Sequence, residues 1–115
     1  MMPMKTVSLK KGRKLIAKNV ELLEGSDETS KGLMFANRGT VILVAEWEGR
    51  WSTLIHTFFC APLLIAWINS KNIVVDVKKT VPWQFYFPKK PARYVFETTN
   101  MNTKIKPGDR ITIKH

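Results

Sequence analysis

The run Leu63-Leu64-Ile65-Ala66-Trp67-Ile68, the polar link Asn69-Ser70-Lys71-Asn72 and the run Ile73-Val74-Val75-Asp76-Val77 decide the fold. Both runs are short, rich in residues that favour extended backbone and bounded by turn chemistry, so they predict two antiparallel strands. The link suits a tight reversal, because Asn and Ser side chains bond nearby backbone groups. A strand with one wet face alternates apolar and polar residues, and neither run does so strictly. Both are therefore expected to be inner strands, covered on both faces.

The flanking sequence extends this β pattern. Thr40-Val41-Ile42-Leu43-Val44-Ala45 is dominated by β-formers, and Glu48-Gly49-Arg50 predicts a hairpin turn before Ser52-Thr53-Leu54-Ile55-His56. In Arg93-Tyr94-Val95-Phe96-Glu97, Tyr94 and Phe96 share one face and Arg93, Val95 and Glu97 the other. Arg110-Ile111-Thr112-Ile113-Lys114 alternates strictly after the turn Pro107-Gly108-Asp109. Lys14 to Glu24 fits a helical stripe about as well as a strand. Asp27 or Thr29 is placed to cap a short helix through Gly32-Leu33-Met34-Phe35. The expectation is a mainly β protein, a compact β-sandwich or partly open barrel with one short helix. Residues 1–13 form an exposed basic N-terminal arm in this reading, and residues 14–115 a single β domain, a size suited to one core.

Nineteen Lys and Arg against nine Asp and Glu give a formal charge of +10. Such a field favours polyanions, whether nucleic acid, acidic protein or anionic lipid, and equally serves solubility alone. Hydrophobic content of 44% with 24% charged residues argues against extensive disorder. Cys60 is the only cysteine, which excludes an internal disulfide and a cysteine-rich metal site and fits a reducing compartment. The longest apolar run, Thr57 to Ile68, contains Pro62 and is too short to span a bilayer, which needs about 20 residues. No signal-peptide core follows the N-terminal lysines. Cytoplasmic residence without membrane insertion is expected.

The ligand inventory for a metal is thin. A zinc site needs at least three N, O or S ligands. His56 and Cys60, four apart, share one face of a helix or strand, but with His115 at the far end a site would need acids from elsewhere, so no metal and no cofactor is expected. His56 is a possible base for Cys60, although Phe58-Phe59-Cys60-Ala61 reads more simply as buried apolar packing. His56 itself falls at a predicted strand end, where an imidazole faces either a pocket or, more simply, the core. A second cluster gathers Asp76, Lys78, Trp83, Arg93 and Glu97, in which Arg93 is placed to hold carboxylates in a structural charge network. Lys78, Lys79, Lys89, Lys90 and Arg93 also interleave with Trp83, Phe85, Tyr86 and Phe87, as cations and rings do on single-strand nucleic-acid surfaces. The plainer alternative puts Trp83 and Phe85 in the core and leaves the lysines as a solvated face.

Gly32-Leu33-Met34, His56-Thr57-Phe58-Phe59, Pro82-Trp83 and the stretch from Tyr86 through Pro88-Lys89-Lys90-Pro91 and Arg93-Tyr94-Val95 to Glu97 occur in an order that resembles the domain of unknown function 192 family. The likeness runs from about Lys14 to Arg110 and is greatest to short archaeal members. It implies a strand over Lys14 to Glu24 and no agreed activity. Members of that family follow the His-Thr-Phe-Phe motif with an apolar stretch bounded by acids, and the corresponding positions here are Leu64 and Asn69. The resemblance thus weakens any acid–base or metal role for His56. The preferred functional reading is a non-enzymatic binding module for a small ligand or protein, using His56, Asp76, Lys78, Trp83, Arg93 and Glu97. The alternatives are a non-specific nucleic-acid-associated protein using Lys79, Tyr86, Lys89 and Lys90, with its basic surface meeting a polyanion partner, and an enzyme centred on His56.

Overall fold

The two deciding runs form β5 (Leu64–Ile68) and β6 (Val74–Lys79), paired antiparallel from Leu64 opposite Lys79 to Ile68 opposite Val74. The reversal between them is built by Asn69, whose Oδ1 accepts the N–H groups of Lys71 and Ile73, and by Asn72 at φ 66°, a left-handed conformation that Asn tolerates. The structure, a computed structural model, describes residues 5–24, 40–56 and 62–114, without the side chains of Glu24, Glu46 and His56. Cys60 and the helix expected through Gly32 to Phe35 lie outside these residues. Among the described residues there is no helix.

The remaining strands are β1 (Thr6–Lys11), β2 (Lys14–Glu24), β3 (Thr40–Gly49), β4 (Ile55–His56), β7 (Phe85–Tyr86), β8 (Ala92–Thr98) and β9 (Thr112–Lys114). Five of them join β5 and β6 in one seven-stranded sheet in the order β6-β5-β8-β3-β2-β1-β9, and β4 pairs with β7 in a separate ribbon. All neighbours in the sheet are antiparallel except β2 and β3. The two ends of the sheet then meet. Val74 donates its N–H to the Asp109 carbonyl at 2.8 Å, Gly108 donates to the Val74 carbonyl at 2.8 Å, and Ile111 donates to the Asn72 carbonyl at 2.8 Å. These bonds curl the sheet into a half-barrel, the partly open barrel of the two expected architectures.

Bulges supply the bend. Between Val7 opposite Val20 and Leu9 opposite Ala17, β2 carries an extra residue, with Asn19 at φ 55°. The concave face packs Val7, Leu9, Val20, Ile42, Leu64, Ala66, Ile68, Val74, Phe96, Ile105 and Ile111. On the convex face Leu23, Val41, Leu43, Leu63, Ile65, Trp67, Ala92 and Val95 cluster with Ile55 of β4, and Tyr86 of β7 packs against them.

Three expectations are corrected. Thr6–Lys11 is not an exposed arm: Val7 and Leu9 enter the barrel while the lysines keep their charges at the rim, so the strand was hidden by its own cations. Of the two deciding runs only β5 is an inner strand, since β6 ends the sheet and bonds beyond itself only near Val74. Glu48-Gly49-Arg50 does not return the chain along β3. Ser52 Oγ donates to the Trp47 carbonyl and Thr53 Oγ1 to the Gly49 carbonyl, and these bonds turn the chain so that Ile55 and His56 pair with Tyr86 and Phe85.

Ile65, fully buried between β6 and β8, and Val75, half-buried at the β6 bulge, bracket the packing of this hairpin. Ile65→Ala is expected to cost roughly 2–5 kcal/mol and Val75→Ala less. Denaturant titration checks both, and an unchanged stability for Ile65→Ala would contradict the placement of β5.

Candidate functional site

Cross-strand register places Glu97 between Val41 of β3 and Ile65 of β5, so its side chain shares the convex face with them and with Val95 two residues earlier. The neighbours on both sides are aliphatic, and the strand N–H groups beside it are engaged in the ladder. Glu97 is 2% exposed, and neither carboxylate oxygen has a hydrogen-bond partner. Burial alone pushes its pKa from the ordinary 4.5 up to about 8. At neutral pH the side chain is therefore a neutral carboxylic acid.

The charge network expected around Arg93 does not form. Arg93 lies on the same face but four residues along the strand, about 13 Å away, and its Nε is itself buried without a partner. Asp76 has a separate task. Buried opposite Trp67, it accepts the N–H of Val77 at 2.9 Å and of Lys89 at 3.1 Å, with the Lys78 ammonium 3.8 Å away. Lys78 reaches the Phe87 carbonyl at 3.2 Å and lies 5.9 Å from the Trp67 and Phe87 rings. Asp76 and Lys78 thus fix the chain at Phe87 to Lys89 against the sheet.

The loop from Arg50 to Leu54 is anchored from below. The buried Trp67 indole donates Nε1–H to the Thr53 carbonyl at 2.8 Å. Above that anchor Trp51 stacks on Phe87 with centroids 5.7 Å apart and planes 27° apart. Arg50 lies 4.9 Å from the Phe87 ring centre and donates Nε–H to the Pro88 carbonyl at 2.8 Å. Glu48, at the end of β3, accepts the Ser70 N–H at 2.6 Å, and that bond holds its carboxylate below the usual range.

The other residues singled out in the sequence fall around this region. Trp83 and Phe85 are exposed, 59% and 61%, which overturns the alternative that placed them in the core. Trp83 also holds φ at 67°, unusual for a bulky side chain. Tyr86 turns inward, and its hydroxyl oxygen accepts the Val81 N–H at 3.0 Å. Lys79, Lys89 and Lys90 are exposed, and the His56 backbone pairs with Phe85.

The family model of DUF192, described as an uncharacterized ACR, matches residues 7–113. The chain belongs to DUF192. It is 32% identical over 97 residues to a UPF0127 protein of Pyrococcus abyssi, covering 80% of this chain and 83% of that protein. Two solved structures share the fold. A protein of unknown function from Novosphingobium aromaticivorans has a TM-score of 0.79 at 21% identity, over 95% of this chain and 84% of the other. A protein of Sinorhizobium meliloti, named as a candidate transcription regulator, has a TM-score of 0.76 at 18% identity, over 98% and 97%.

Within this DUF192 chain, the residues that sequence reasoning missed are Arg50 and Trp51. Their available signal was Trp47-Glu48-Gly49-Arg50-Trp51, two large rings beside a polar turn with no apolar partner nearby.

The Glu97 carboxyl sets a pH dependence with a definite sign. From about pH 4.5 to 8 the unfolded chain releases this proton while the folded chain keeps it, so the contribution to stability is fully present below 4.5 and is lost as pH rises through 8. Glu97→Gln is expected to remove that slope. The difference between wild-type and variant unfolding free energies across this range isolates it, and a pH-independent difference would contradict a buried neutral acid.

Proposed function

We propose that this DUF192 protein is a non-enzymatic binding module that accommodates a small ligand on the convex sheet face at Glu97. The observation that carries the reading is a fully buried carboxyl group with no partner. Leaving a buried polar group unpaired costs about 1–3 kcal/mol, so packing alone favours Leu or Met at this position. A protonated Glu97 offers an O–H donor and a carbonyl acceptor side by side, within a lining of Val41, Ile65 and Val95. A primary amide on an apolar body matches it, because it donates and accepts at the same two points while its chain meets the aliphatic wall. Ile55 and Tyr86, from strands of two residues each, pack on this same face.

The non-enzymatic part of the reading rests on isolation. Acid–base chemistry uses positioned groups within hydrogen-bond reach of one another, and Arg93 stands about 13 Å from Glu97 along β8. Among the described residues, no three His, Cys, Asp or Glu side chains group to hold a metal ion, and no helix is long and apolar enough to cross a membrane. Cytoplasmic residence belongs to the same proposal, supported by the single cysteine.

Thermal unfolding with hexanamide and, separately, hexanol tests the site. Hexanamide is expected to raise the wild-type midpoint more than hexanol does, by an amount that grows with concentration as ligand linkage requires. Glu97→Leu is expected to melt higher than the wild type on its own and to show no preference for the amide. An equal response of wild type and Glu97→Leu, or no response in either, would remove Glu97 from ligand recognition.

A further inference from the structure

The ribbon and the loop beside it present a second surface on their solvent side. Phe85 and Phe87, on either side of the inward Tyr86, are both exposed. Trp51 stacks on Phe87 with the planes 27° apart and is 76% exposed, so one aromatic pair is already in contact and offers ring surface to solvent. Arg50 is pinned by its Nε bond to Pro88, which leaves its other guanidinium N–H groups for a ligand. Lys89 and Lys90 follow directly, Lys79 is exposed at the end of β6, and no Asp or Glu occurs between Val77 and Phe96.

We propose that this outer face binds single-stranded nucleic acid, with unpaired bases stacking on Trp51 and Phe85 and phosphates meeting Arg50, Lys89 and Lys90. Charge complementarity selects an anionic partner, and the flat exposed rings select one that carries rings of its own. An acidic peptide satisfies the first condition alone. A duplex hides its base faces. An anionic bilayer admits aromatic side chains that project into it, whereas the Trp51 ring is laid on its neighbour. The stacking residues differ from those that the sequence suggested, since Tyr86 faces the core and Trp51 takes its place.

Fluorescence anisotropy with a labelled single-stranded RNA of about 12 nucleotides, at about 50 and 200 mM NaCl, tests the surface. Trp51→Ala keeps the net charge and is expected to weaken binding on the order of 5- to 150-fold at both salt concentrations. Trp51→Phe retains a ring and is expected to restore most of the affinity, and a thermal melt confirms that each variant is folded. Replacing Lys89 and Lys90 by Ala is expected to cost more than replacing Lys10 and Lys14, which lie on the β1–β2 hairpin. The proposal fails if Trp51→Ala binds as the wild type does, if the two lysine pairs are equivalent, or if the duplex of the same sequence binds as tightly. It also fails if the RNA does not bind, or if only phosphatidylserine vesicles bind in a Trp51-dependent way.

Discussion

Three backbone hydrogen bonds between Asn72 or Val74 and the segment Gly108 to Ile111 hold the first strand of the sheet to the approach of the last. Without them β6 would be an open edge, with unpaired donors and acceptors available to another chain, and the sheet would have no reason to curl so far. With them the concave side closes around Phe96 and its aliphatic neighbours, and the convex side is left as a second apolar surface in need of cover. That cover includes β4 and β7, of two residues each. The candidate site lies on this face.

Asp109 strengthens the closure at the level of side chains. Burial works against its charge, yet Lys11 at 2.9 Å and the Lys106 N–H at 3.0 Å hold its carboxylate below the ordinary range. One acid thus ties β1 to the turn before β9. Glu97 shows the reverse outcome for the same functional group: no donor reaches it, and burial alone decides its state. The two carboxyls differ because one stands beside loop backbone and a flexible lysine, and the other between aliphatic side chains in the middle of a ladder.

The strands were legible where a run showed one clear pattern, which Lys14 to Glu24, fitting a helical stripe about as well, did not. Leu63 to Ile68 announced an inner strand because it lacks alternation, and Arg93 to Glu97 announced its two faces because it has it. Thr6–Lys11 was obscured because only Val7 and Leu9 face inward, between lysines whose charge dominates the local composition. Glu97 was singled out from the sequence, but its isolation depends on which strands flank β8, which no local pattern encodes. The Trp51–Phe87 contact joins residues far apart in sequence, through a loop whose direction is set by the Ser52 and Thr53 hydroxyls. Hydroxyl bonds of that kind leave no periodic trace. The ribbon therefore had to be seen before its outer face could be understood.

Among the described residues, five hold positive φ: Gly12, Asn19, Asn72, Gly108 and Trp83. At the first four the side chain is one that the backbone conformation favours. At Trp83 it is the least suited of all, at a conformational cost on the order of 1–3 kcal/mol. A glycine there would relax the chain and delete the indole in the same step, so local backbone ease and aromatic surface are opposed at a single atom, the Trp83 Cβ. Any change that makes this corner of the protein more comfortable also makes it less able to present a ring.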